Sequence, residues 1–160
     1  MPARAIRCVE ILSQRGASEA ARDLSQHVRT TWGERLDPDE KKKLLKIDAR
    51  LAVGEGGGAE AVATLEEIVA LDPLDGEALM LLGRHYAQAN APERAIFYYE
   101  RAEGIEAVEA DARLRHAQLL VAQSRFQDAV PLLKRAQELK PRDDVGRYLE
   151  QVERLARASR

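Results

Sequence analysis

The feature that most limits what this chain can become is a step of about 34 residues that recurs through it, the mark of a helical repeat array. Stepping from Gly83 lands on Ala49 in one direction and on Ala117 in the other. The same step from Ala95 gives Ala61 and Ala129, and from Tyr99 it gives Leu65 and Leu133. Pro73 and Pro141 stand two steps apart, with Ala107 midway. One unit is therefore written three times. Each copy reads as two amphipathic helices of roughly 14 residues, their apolar residues at helical spacing, split by a short break.

Small residues belong where the paired helices come closest, because a longer side chain there would hold the backbones apart. Ala49, Gly83 and Ala117 fill that place on the first helices, and Ala61, Ala95 and Ala129 on the second. Leu45, Leu79, Leu82, Tyr86 and Leu120 fill the space on either side. A lone hairpin cannot bury its apolar face, so each unit relies on its neighbour. The run Leu79-x-x-Leu82-Gly83-x-x-Tyr86, followed by Ala95-x-x-x-Tyr99 and Ala102, resembles the tetratricopeptide repeat family, and the likeness extends from about Glu40 to Pro141. It implies an all-α fold, an α-solenoid of antiparallel helix pairs stacked into a short right-handed superhelix.

Taken in order, residues 1–37 read as a degenerate helical hairpin, with Ile6, Val9 and Leu12 on one face of its first helix. Gly16 ends that helix, and Ala21, Leu24, Val28, Thr31 and Trp32 form the stripe of the next, which runs to about Arg35. Asp37-Pro38-Asp39-Glu40 is a helix start: Asp37 caps, Pro38 suits the first helical position and Glu40 completes a capping box. Residues 38–74, 75–107 and 108–141 are the three repeats. Residues 142–160 are a C-terminal capping helix, capped by Asp143 or Asp144, and the whole reads as one continuous domain. Gly56-Gly57-Gly58, before a helix, invites comparison with a phosphate-cradling loop. It lacks the Gly-Lys-Ser/Thr ending and a preceding strand, so it reads as a loose interhelix turn.

Composition agrees with a helical protein: 32% charged residues and 4% aromatic. A net charge of −2 gives no general attraction to nucleic acid or to anionic membrane. No apolar run approaches the roughly 20 residues of a membrane span, and the N-terminus lacks the apolar core of a signal peptide. A cytoplasmic location is the expectation if Met1 is the natural start. The one cysteine, Cys8, excludes an internal disulfide. His27, His85 and His116 lack the further ligands a metal site needs, and no nucleophile–base–acid set stands out. The chain reads as no enzyme, with no cofactor and no metal.

In the tetratricopeptide family the first helices line a concave groove that holds an extended peptide. Carried onto this sequence, the resemblance makes Lys43, Lys46, Arg50 and Val53 groove-facing in the first repeat. The second repeat offers Glu77, Met80, Arg84, Ala87 and Gln88, and the third Asp111, Leu114, Gln118, Val121 and Ala122. Lys43, Lys46, Arg50 and Arg84 form a basic strip; Met80, Leu114 and Val121 form an apolar floor. The family's carboxylate clamp for chaperone tails is matched at Lys46 and Arg115 only. Arg50 and Leu81 replace its asparagines and Asp111 replaces a lysine, which puts a chaperone tail in doubt.

The expected function is a non-catalytic interaction module or scaffold that binds a partner segment bearing acidic and apolar residues. Two alternatives stand beside it. One is a self-associating structural or spacer domain, a homo-oligomer formed through Trp32 and residues 6 to 12. The other is a recruitment subunit of an enzyme complex.

Overall fold

A computed structural model describes residues 1–54 and 58–159. Regular structure among them is all helical. The helices are α1 (Pro2–Gln14), α2 (Ser18–Trp32), α3 (Pro38–Gly54), α4 (Ala59–Leu71) and α5 (Gly76–Gln88). After them come α6 (Pro92–Ala102), α7 (Glu109–Ala122), α8 (Phe126–Leu139) and α9 (Asp143–Ala158). A 3₁₀ turn at Gly33–Arg35 follows α2, where the sequence extends the α-helix itself. The chain falls into two compact units, Met1–Pro73 and Leu74–Arg160.

Three helices stop in the same way. Gly16, Asn90 and Ser124, just beyond α1, α5 and α7, take left-handed φ values of 76°, 56° and 59°. Their N–H groups donate to Ser13, Ala87 and Val121 carbonyls at 3.2, 3.3 and 2.9 Å. The next N–H groups, of Ala17, Ala91 and Arg125, reach back to Leu12, Tyr86 and Leu120 at 3.0, 2.9 and 2.8 Å. This double bonding satisfies carbonyls that a helix end leaves without partners, and it requires a residue that accepts positive φ. Glycine does so freely and asparagine tolerably. The first hairpin therefore turns by the same device as the repeats, although its sequence has lost their register. Gly56, one repeat step before Asn90, lies with Gly57 outside the described residues.

Helix starts are partly as expected. The Glu40 N–H donates to Asp37 Oδ1 at 2.8 Å and the Asp37 N–H to Glu40 Oε2 at 3.2 Å, a reciprocal capping box. Asp37→Ala removes one acceptor, at an expected cost of about 1 kcal/mol. Urea unfolding followed by the fluorescence of Trp32, in the same unit, measures it. Asp75 caps α5, its carboxylate accepting from the Ala78 N–H at 3.0 Å. The last helix corrects the expectation: α9 begins at Asp143 behind Arg142, with no side-chain cap. Asp144 instead pairs with Arg142 at 2.6 Å.

In the first unit, Ile6 and Val9 of α1, Ala21 and Val28 of α2, and Leu44, Ile47 and Leu51 of α3 share one buried cluster. Leu12, Leu24 and Trp32 pack against it. The surface that would have served self-association is thus turned inward, because an apolar stripe is buried by the nearest helices available. Ser25, not the exposed Thr31, lies on the inner face of α2. In the second unit α5 to α9 pack each against the next. Ala117, Leu120, Ala129, Leu133 and Val152 form a cluster that joins α7, α8 and α9. The small residues Ala49, Ala61, Ala95, Ala117 and Ala129 are all buried.

Gly83 shows why small residues are needed. A Cβ placed on it would sit 2.5 Å from Tyr99 Cε1 and 2.8 Å from Cζ. The Tyr99 ring on α6 occupies the space that a side chain on α5 would take.

A polar knot ties α6 to α7. Glu103 caps the C-terminus of α6, its side chain 13% exposed. His116 Nδ1 lies 2.8 Å from one of its oxygens and Arg113 Nη1 lies 3.4 Å from the other. Arg113 also reaches Glu109 at 3.0 Å. Glu103→Ala is expected to cost about 2–3 kcal/mol, since it removes hydrogen bonds to a charged group and strands the buried His116. Glu103→Gln, which keeps one acceptor, should recover about half; urea titration of both variants checks this.

Candidate functional site

The predicted groove residues fall into two groups by unit. Lys43, Lys46 and Arg50 lie on α3 in the first. Lys43 is exposed and pairs with Glu10 of α1 at 3.6 Å, while Lys46 and Arg50 are half-buried. Val53, expected in the groove, is fully buried, its branched apolar side chain drawn into the interior. A cleft of about 520 Å³ does exist in this unit, between α2, α3 and α4. None of the three predicted cations lines it. Its wall carries Arg22, Asp23, Arg29, Asp48 and Glu60, charges of both signs, and Arg29 is paired with Asp48.

In the second unit four of the predicted residues come together. Arg84 and Gln88, one turn apart on α5, face Arg115 and Gln118 on α7 across a cleft of about 530 Å³. Ala87, Leu119 and the Tyr99 ring supply its apolar surface. Helix period explains the gathering: residues three or four apart share a face, so two side chains per helix meet two from the next. Arg84, Gln88, Arg115 and Gln118 are all exposed.

Met80, Leu114 and Val121 do not line this cleft. All three are half-buried, and Leu114 and Val121 pack against the α7–α8–α9 cluster. The expected apolar floor is therefore smaller, because Leu114 and Val121 lean toward the unit's own core. Asp111 pairs with Lys140 at 3.8 Å.

Electrostatically the cleft is one-sided. Among the described residues no carboxylate lines it. Arg115 contacts neutral Gln118 Oε1 at 3.3 Å, and Arg84 has no partner among the described residues. Elsewhere in the unit Arg113 pairs with Glu103 and Glu109, Arg125 with Asp128, Arg135 with Glu109 and Arg142 with Asp144, while Arg94 and Arg101 lie over the Tyr86 and Phe97 rings. Tyr99 is 3% exposed, and its hydroxyl makes no hydrogen bond to a described residue. Burial pushes the phenol above its ordinary pKa, while the guanidiniums of Arg115 and Arg84 pull it down. The hydroxyl stays protonated at neutral pH, a donor beside two cations.

Tyr99 is the residue that the groove reading missed. A signal for it was present: the small residue of each first helix pairs with a large one on the second, as Ala49 with Leu65 and Ala117 with Leu133. The smallest, Gly83, goes with the largest, Tyr99, whose ring overlies it and reaches the cleft.

The two histidines of the first helices are engaged separately. His116 pairs with Glu103, and His85 sits edge-on to Tyr86 with ring centroids 5.2 Å apart. Among the described residues no group of three or more His, Cys, Asp or Glu is placed to hold a metal ion. No helix among them is long and apolar enough to cross a membrane.

Residues 49–112 match the family model described as tetratricopeptide repeat. No curated protein matches the chain in sequence. Solved structures share its fold. MamA protein superposes with a TM-score of 0.68 at 16% identity, over 96% of this chain and 91% of MamA. The nearly identical TPR-like repeats of a putative kinesin light chain from Podosopora anserina give 0.67 at 19% identity, over 100% and 98%. At these identities the likeness is one of fold.

Proposed function

We propose that this chain, which carries tetratricopeptide repeats, is a non-catalytic adaptor that holds an acidic segment of a partner protein in the α5–α7 cleft. Repeats of this family serve in general as protein-interaction modules. One observation carries the finer reading: Arg84, Gln88, Arg115 and Gln118 face one cleft with no carboxylate among its described lining residues. Glutamine side chains can bond the partner's backbone, and the guanidiniums its carboxylates. Exposed ion pairs contribute only about 0–1 kcal/mol each. Apolar partner residues against Ala87 and Leu119 must add to them. On this reading, the repeats span 38–74, 75–107 and 108–141, and residues 142–160 cap the array. Lys43, Lys46 and Arg50 form a separate basic strip on α3 of the first unit.

Anisotropy of a labelled peptide panel tests the proposal. Peptides that alternate acidic and apolar residues should bind, and their affinity should fall as salt rises. Peptides with lysine in place of the acids should not bind. Equal binding of both sets would contradict the reading.

A further inference from the structure

We propose that the α5–α7 cleft takes a phosphoryl group, carried on a phosphorylated side chain of the partner, with Arg84 and Arg115 as its cationic walls and the Tyr99 hydroxyl as a donor at its floor. This rests on the adaptor reading and narrows it.

Charge is the first ground. Two guanidiniums face a space with no carboxylate among its described lining residues. A phosphoryl group at neutral pH carries close to two negative charges and so balances both, whereas one carboxylate balances half. Shape agrees. The guanidinium is a planar fork that meets two oxygens at once. Two forks and one hydroxyl supply donors for all three terminal oxygens. Tyr99, 3% exposed, lines the cleft, and its hydroxyl, which bonds no described residue, is free to donate to the third oxygen. Gln88 and Gln118 remain for the neighbouring backbone of the segment.

The test uses NMR of the full chain, following the side-chain Nε–H signals of Arg84 and Arg115. The probe is an N-acetyl-O-phosphoserine amide, and the N-acetylglutamate amide is its carboxylate counterpart. The phosphoserine amide should saturate both signals and bind at least about tenfold more tightly than the glutamate amide, the discrimination expected of a site matched to a dianion. Its affinity should drop several-fold from about pH 7.5 to about pH 5, across the second phosphate pKa of about 6. Arg84→Gln should abolish saturation, and Tyr99→Phe should weaken it about threefold, as for one lost hydrogen bond. Inorganic phosphate binding more tightly than the amide would overturn the side-chain source. Equal binding of the glutamate amide would overturn the phosphoryl assignment while leaving the acidic-segment reading intact. Phosphoserine amide that moves neither signal overturns the phosphoryl assignment; the peptide panel then decides the adaptor reading by itself.

Discussion

Gly83→Leu is expected to cost the second unit more than about 3 kcal/mol, beyond the usual penalty for overpacking. The reason is geometric. Even a Cβ at this position would lie 2.5–2.8 Å from Tyr99 ring atoms, and Tyr99 is 3% exposed, with little room to withdraw. The leucine must displace the ring or force α5 away from α6, and the flanking Leu79 and Leu82, both fully buried, would lose their packing with it. A lower melting temperature by circular dichroism is the readout. The neighbouring repeats suggest the rescue. They pair alanine with leucine at these two positions, so Gly83→Ala with Tyr99→Leu should be close to wild type in stability, although Gly83→Ala alone is strained. Gly83→Leu with unchanged melting would mean that the α5–α6 packing described above is wrong.

The second large effect concerns binding. Arg84→Glu together with Arg115→Glu should weaken capture of an acidic peptide by about 100-fold, tenfold for each reversed charge, or about 2.7 kcal/mol. Both side chains are exposed and neither pairs with a carboxylate among the described residues, so helicity and melting should not change. Lys43→Glu is the contrast. Lys43 faces Glu10 rather than the cleft, so its reversal should have little effect on a peptide held between α5 and α7. Anisotropy titration of the three proteins separates these outcomes. A double reversal that binds like wild type would remove the cleft from the account.

The repeat was legible because close packing leaves a fixed trace. Only small residues fit where helices touch, and Ala49, Gly83 and Ala117 mark those contacts at constant spacing. The break positions were legible too, since Asn90 and Ser124 fall one repeat step apart and both take positive φ. The Asp37–Glu40 box could be read from four residues because capping is local.

The site was harder. A shared helix face can be assigned from spacing, and Arg84, Gln88, Arg115 and Gln118 do line one cleft. How far a side chain leans toward its own core is set by tertiary neighbours that spacing does not show. Leu114 and Val121 lean inward, and Val53 is swallowed entirely. The cations also divide by partner. Lys43 has a carboxylate on α1 and Arg84 has none, a difference that only the fold decides. Tyr99 belongs to the core, but its side chain also lines the cleft. A residue that is both core and site leaves one pattern in the sequence for two roles.

The most direct test of the cleft is NMR mapping of a peptide that alternates acidic and apolar residues, titrated into the full chain. The account predicts that the largest shifts fall on the backbone amides of Ala87, Gln88, Gln118 and Leu119 and on the Nε–H groups of Arg84 and Arg115. Saturable shifts confined to other surfaces, such as the α2–α3–α4 cleft or the outer face of α9, with these six unmoved, would contradict it.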